Sequence, residues 1–415
     1  MMVLIYFISY IAFYILGYKL YHSRVNPITI YSSIWFGCFF IYNSGVIQYY
    51  PINWTTFLYI YGANIVFVIG CISGFFLSKV SVRFLKQSYS QTILEKKKSL
   101  QRVIILTTIL SLIGIIPNII SSISTYGINL LANTSNMYFN EISSAQESAL
   151  SFTAFAFVTA IYVGIYIVGY GFDRKLYFPL LMFSLFALSK GSRGTFVIVI
   201  FLLLAAVTLP QANLKYSELI KKNLKKLFYI FLAFTIVVLA ITSVRQRSED
   251  IYYGYLSLDI LSGTVLVSVI GYICSGIGCL NQFLEYPLTA DSPVLFFRVF
   301  YVLLDKLGIT DVNTVIHFPT YLTPIPGNVL TYIGELYIDF QDSLFIVILI
   351  LSIIFSFSFC KAKKSSSIFH RSIYAAMFTY FCLSFFASFL HAAGLWYAII
   401  LGTLFSIFID YRIKL

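Results

Sequence analysis

Charge is what this sequence has least of. Only 11% of its 415 residues are Asp, Glu, Lys or Arg, against roughly 25% in a soluble domain. The shortage runs the whole length, which excludes a soluble protein, a disordered chain and a globular domain on one anchor. Period-two alternation is lacking too, and with it an outer-membrane barrel. The six cysteines (Cys38, Cys71, Cys274, Cys279, Cys360, Cys382) form no CxxC pair and no Cys/His cluster. Cys274 and Cys279 are near enough in sequence to pair, but a disulfide framework is not indicated. There is no P-loop, no HExxH and no DxD motif. An enzyme built on this chain is therefore expected to use no metal, and nothing in the sequence calls for a cofactor. The first apolar segment has no basic start, so residues 2–21 read as a first span rather than a cleavable signal.

Apolar residues are what is there. Hydrophobic residues make up 59% and aromatic ones 19%, and the mean hydropathy is +0.87. Runs of about 20 apolar residues are what a bilayer demands, and in lipid only helices satisfy their own backbone along such a run. The expected fold is all-α and polytopic, a single transmembrane domain over residues 1–415. Spans are expected near 2–21, 28–47, 57–79, 103–122, 149–171, 176–189, 195–212, 227–244, 343–360, 373–390 and 394–410. That makes eleven, or thirteen if residues 260–280 cross twice.

The formal net charge is +12. In a soluble protein that would point to nucleic acid. Here the basic residues fall in connections: Lys96, Lys97 and Lys98 before the fourth span, five lysines over 215–226, and Lys361, Lys363, Lys364 and Arg371 before the tenth. With eleven spans these connections share one side. The positive-inside rule makes it cytoplasmic, with the N-terminus outside and the C-terminus inside. The outer side then holds Lys190, Arg193, Arg245, Arg247, Arg298 and Lys306 of the 28 basic residues. No nucleic-acid partner is expected.

Two outer segments are large. Residues 123–148 are mostly polar, and residues 245–342 approach one hundred. Within the second, residues 260–280 are apolar but punctuated by Gly263, Gly271, Gly276 and Gly278. They read as a re-entrant pair, an in-plane helix or two extra spans. Residues 294–304, with Arg298 in the middle, are too short to cross and read as an interfacial helix. Residues 318–327 carry three prolines and must form an ordered turn or extended segment.

Four of the six outer cations are arginines, whose planar fork grips phosphate with paired hydrogen bonds. Arg193 stands in Lys190-Gly-Ser-Arg-Gly194 after an apolar run of only 14 residues, about 21 Å of helix against a core of about 30 Å. Lys190 and Arg193 therefore approach membrane depth. The plainer reading is a turn capped by interfacial cations. Arg245 and Arg247 close the eighth span, and Arg298 is a lone charge among aromatics. For acid–base work the candidates are His391, Glu335 and Asp339. His391 stands in the hairpin before the last span, where a lone histidine is often merely polar. Glu335 and Asp339 are four apart, so a helix puts both on one face. The plainer reading for them is a solvated or N-terminal helix charge, favoured by the dipole. His317 is read as a polar loop residue.

The small-residue turn Gly191-Ser-Arg-Gly194 and the late Gly334-Glu-Leu-Tyr-Ile-Asp-Phe340, set in this whole-chain architecture, resemble the bacterial O-antigen polymerases (Wzy-type). That family often continues the second motif with glycines, where Gln341 and Ser343 stand here. The resemblance implies a GT-C-like glycosyltransferase in the bacterial plasma (inner) membrane. Such an enzyme moves a growing glycan from undecaprenyl pyrophosphate onto the next lipid-linked repeat unit. Arg193, Arg245, Arg247, Arg298 and Lys190 would hold the pyrophosphate. His391, Glu335 or Asp339 would be the base. The polar residues 123–148 could bind sugar, and Tyr252, Tyr253, Tyr255, Tyr321 and Tyr332 offer stacking faces or an interfacial belt. Implied partners are the lipid-linked oligosaccharide, the bilayer, and a chain-length regulator with other polysaccharide-assembly proteins. An O-antigen ligase uses the same donor and remains open, as does a lipid-linked oligosaccharide flippase, although the long outer segment argues against a transporter. An acyltransferase or a structural subunit of a synthase is not excluded.

Overall fold

A computed structural model describes residues 1–80, 93–127, 152–190, 193–209, 265–312, 319–323, 326–364, 367–391 and 393–411. The described helices, in chain order, are α1 (Met2–Tyr21), α2 (Pro27–Asn43), α3 (Trp54–Lys79), α4 (Ile93–Tyr126), α5 (Phe155–Tyr170), α6 (Tyr177–Lys190) and α7 (Arg193–Ala205). After them come α8 (Val265–Phe283), α9 (Arg298–Lys306), α10 (Tyr332–Phe340), α11 (Leu344–Lys364), α12 (Ile368–Leu383) and α13 (Ala393–Tyr411). The described strands, β1 (Tyr321–Leu322) and β2 (Pro326–Gly327), pair antiparallel, Tyr321 opposite Gly327. This short ladder is the ordered turn expected of the proline-rich segment.

The protein is mostly helical and embedded in a membrane. Five stretches are long and apolar enough to cross one: Met2–Tyr21, Trp54–Lys79, Leu94–Tyr126, Phe152–Tyr170 and Tyr332–Lys364. The expected span at 227–244, the expected outer residues 128–148, and His317 lie outside the described residues.

The fold groups into two compact units. The first comprises Met1–Lys79, Gln246–Phe357 and Tyr380–Ala392. The second comprises Val80–Arg245, Ser358–Thr379 and Ala393–Leu415.

In the first unit, α1 ends on His22 in the left-handed region (φ 49°), which reverses the chain toward α2. The start of α2 is a reciprocal cap: Asn26 Oδ1 accepts from the Thr29 N–H at 3.0 Å, and Thr29 Oγ1 accepts from the Asn26 N–H at 3.1 Å. Pro27 follows at the first helical position, where no N–H is needed. Gly70 and Gly74 of α3 face α11. A Cβ on Gly74 would stand 2.9 Å from the Ser356 Cβ, and one on Gly70 would stand 2.7 Å from the Leu349 carbonyl. This glycine pair lets two membrane helices pack backbone to backbone. At the same crossing the Tyr21 hydroxyl donates to the Cys71 carbonyl at 3.0 Å and meets Ser356 Oγ at 2.6 Å.

In the second unit, α5 is the buried centre, with every residue from Ala156 to Val168 out of contact with the surroundings. A Cβ on its Gly164 would come within 2.6 Å of the Leu203 carbonyl of α7. Thr159 donates to Thr107 of α4 at 2.9 Å, and Tyr162 donates to the Gly402 carbonyl of α13 at 2.5 Å. Helix α4 begins at Ile93, so the end of the expected basic connection is helical. Its Lys96 pairs with Asp410 at 2.8 Å, and its Gln101 donates to Tyr166 at 2.7 Å. Asp410 also accepts from Ser367 and from the Phe369 N–H.

Residues 265–283 form one continuous helix, the single-helix alternative among the readings open for 260–280. Its glycines serve contact. A Cβ on Gly276 would lie 2.7 Å from the Phe385 carbonyl, and one on Gly278 would lie 2.9 Å from the Thr323 Cβ. One expectation is corrected: the expected span at 373–390 stops being helical at Leu383. Residues 384–391 are irregular.

Candidate functional site

That early stop builds the site. A helix that ends at Leu383 leaves the carbonyls of its last turn without helical partners, and a helix that begins at Tyr332 leaves its first N–H groups unmatched. In the first unit these two needs meet: the Tyr332 N–H donates to the Ser384 carbonyl at 2.9 Å. Ser384 Oγ also accepts from Trp35 Nε1 at 2.9 Å. The irregular segment is thereby locked against the start of α10. Phe389, with φ 54°, turns the chain in the left-handed region two residues before His391. Its ring then stacks on the imidazole, centroids 6.2 Å apart and planes 22° apart.

The consequence is a buried acid beside an accessible base. Glu335, in the first turn of α10, is 3% exposed, and its Oε2 lies 2.8 Å from His391 Nδ1. The histidine side chain keeps 27% of its surface open. When Nδ1–H donates to the carboxylate, Nε2 is left with its lone pair. This is the geometry by which a carboxylate orients an imidazole for proton abstraction.

Asp339 lies one turn further on the same helix but has different partners. Its two carboxylate oxygens accept from successive backbone N–H groups, Leu295 at 3.1 Å and Phe296 at 2.6 Å. It is 9% exposed. Neither acid is solvated, although Glu335 does stand in the first turn of its helix, where the dipole favours a negative charge. The helix does put both on one face, yet the neighbours differ.

Residues 294–297 form the turn that leads into α9, so Arg298 opens that short helix rather than sitting in its middle. Its guanidinium is part-buried, and burial lowers its pKa. No hydrogen bond or ion pair engages it among the described residues. Tyr332, expected as a stacking face, is instead fully buried, its hydroxyl 2.5 Å from that of Tyr31. Tyr321 keeps part of its ring exposed and meets Phe283 edge to face at 6.5 Å.

The remaining cations divide as follows. Lys190 ends α6 and Arg193 opens α7, both in the second unit. Arg245, Arg247, Tyr252, Tyr253 and Tyr255 lie outside the described residues. All six cysteines are free and buried. Among the described residues no three His, Cys, Asp or Glu side chains gather around a common point. The sequence reading missed Ser384 and Phe389, which hold His391 in place. The polar residues Ser384 and Ser388, four apart in an apolar run, were the available signal.

Against known proteins, the chain matches no family model, no curated protein and no solved structure.

Proposed function

We propose that the protein is a glycosyltransferase that polymerises undecaprenyl-pyrophosphate-linked oligosaccharide repeat units into a surface polysaccharide. The observation that carries this reading is the contact of Glu335 with His391, a buried carboxylate orienting a partly open imidazole in a membrane protein. An acceptor hydroxyl of the incoming repeat unit gives its proton to His391 Nε2 as its oxygen attacks the anomeric carbon of the donor glycan. The bond from that carbon to the pyrophosphate oxygen breaks, and undecaprenyl pyrophosphate leaves with the electron pair. Arg298, part-buried and unengaged among the described residues, offers that anion a cation in a poorly hydrated place. Lys190 and Arg193 of the second unit, and Arg245 and Arg247 outside the described residues, are the other cations that the sequence proposes for pyrophosphate contact.

The reading places the chemistry at the outer face of the bacterial plasma membrane. Eleven spans, the N-terminus outside and a GT-C-like architecture belong to the same proposal. Contacts within each unit support the alternation of spans. In the first unit, expected outer connections meet where the Asn53 N–H donates to Asn281 at 2.9 Å, and Tyr59, at the outer end of its span, donates to Asp342 at 2.5 Å. In the second, expected cytoplasmic connections meet at Lys96–Asp410 and Ser367–Asp410.

The test is deletion of the gene in its host, with the surface polysaccharide resolved on a gel. Single repeat units without a ladder support a polymerase. Loss of even the single unit overturns it in favour of a ligase or a flippase. Complementation with His391→Ala must then fail to restore the ladder while the variant inserts normally.

A further inference from the structure

Asp339 holds a different kind of position from Glu335. Its two oxygens each take one of two consecutive N–H groups, Leu295 and Phe296, and the next residue but one after Phe296 is Arg298. The same α10 residues fasten this stretch twice more. The Ala290 N–H donates to the Ile338 carbonyl at 2.9 Å, and the Phe296 ring meets Phe340 edge to face at 5.5 Å. The turn itself closes with the Phe297 N–H on the Pro293 carbonyl at 3.1 Å, and the Phe297 carbonyl starts α9 by accepting from Tyr301 at 3.1 Å. Val294, Leu295 and Phe296 are buried. So the backbone that carries Arg298 is pinned to α10 on its side-chain, main-chain and aromatic faces.

A carboxylate that accepts two backbone N–H groups has its oxygens occupied by fixed donors. It is badly placed to take a proton from a substrate. It is well placed to fix, within a fraction of an ångström, where the following side chain begins. Arginine gains most from such anchoring, because its fork must meet a phosphate in one plane.

We infer that Asp339 is a positioning residue, which presents the Arg298 guanidinium to the pyrophosphate of a lipid-linked substrate by clamping the 294–297 turn. The inference rests on the reading of Arg298 as a pyrophosphate ligand. Asp339 makes no contact with substrate and acts through Arg298 alone.

A double-mutant cycle tests it on the full-length protein in lipid nanodiscs, with undecaprenyl pyrophosphate as the probe and the dissociation constant as the readout. R298A is expected to weaken binding about tenfold or more, since a hydrogen-bonded charge is lost. D339N keeps the size but turns one acceptor into a donor facing an N–H, and is expected to weaken binding about three- to tenfold. In the R298A background, D339N is expected to cost nothing further. That missing second loss is what a merely structural aspartate would not give. Equal losses for D339N in both backgrounds, or wild-type binding by D339N alone, overturn the inference while leaving Arg298 as a ligand. Wild-type binding by R298A overturns the pyrophosphate reading of Arg298 and the inference with it. Should D339N fail to accumulate in the membrane, D339E, which retains both acceptor oxygens on a longer stem, enters the same cycle with the same criteria.

Discussion

Glu335 and His391 are 56 residues apart in the chain and 2.8 Å apart in space, the first 3% exposed and the second open over 27% of its side chain. A pair so divided has one member to fix orientation and one to meet substrate. His391→Ala is expected to lower polymerisation about 10²–10⁴-fold, the usual worth of a positioned base. Glu335→Gln keeps the shape but loses the charge and is expected to cost less. Residues that act as a unit are not additive. The double variant should therefore be no slower than His391→Ala alone, measured as ladder formation from purified lipid-linked repeat units. An additive loss would separate the two residues.

The α3–α11 crossing yields a stability prediction. Gly74→Leu drives a side chain into Ser356 and the backbone at Phe357. Overpacking of this kind costs about 1–3 kcal/mol or more, and here the obstacle is largely backbone. A lower Tm in detergent and reduced accumulation in the membrane are expected. Gly37 of α2 is the control, because a Cβ there meets nothing within 4 Å. Gly37→Ala should leave the Tm unchanged or raise it, since alanine loses less backbone freedom on folding.

Span alternation can be read by labelling. Tyr286, 84% exposed just beyond α8, belongs to the outer side of the proposed path. Lys98, exposed near the start of α4, belongs to the cytoplasmic side. The native cysteines are all buried and give low background. A membrane-impermeant maleimide should reach Tyr286→Cys in intact cells lacking an outer barrier, and Lys98→Cys after permeabilisation. The reverse pattern would invert the orientation.

Much of the helical architecture is legible in the chain, because a span must be long and apolar and its ends collect charge. Met2–Tyr21 and Trp54–Lys79 follow from that rule almost to the residue. Because that stretch is helical, the spacing of four puts Glu335 and Asp339 on one face, as expected. What those two acids touch could not be read, because His391, Leu295 and Phe296 come from elsewhere in the chain. The end of α12 was equally hidden. Residues 373–390 are apolar throughout, and hydropathy has no way to mark where Ser384 gives its carbonyl to Tyr332 rather than to a next turn. The glycines of α8 left its path open for a related reason. In water a glycine run weakens a helix, whereas between membrane helices it admits a neighbouring backbone, as Gly276 admits Phe385.

Helices α6 and α7, extended by the 3-10 turns Arg174–Leu176 and Ala206–Thr208, reach about 27 and 26 Å at 1.5 and 2.0 Å per residue, still short of a hydrocarbon core of about 30 Å. Where Tyr177, Phe178 and Leu181 of α6 face outward, fatty-acyl tails must shorten or tilt, because a bilayer meets a short apolar wall by thinning. A dimple of this kind lowers the local barrier between the aqueous phase and the hydrocarbon. It would favour a very long isoprenoid lipid, whose headgroup can sink where the leaflet is thin. Turnover in vesicles should accordingly fall as the acyl chains of the host lipid are lengthened from 14 to 22 carbons, roughly the range over which bilayer thickness passes the usual value of about 30 Å. A flat response would mean that neighbouring parts of the protein, rather than lipid, cover the outward face of α6.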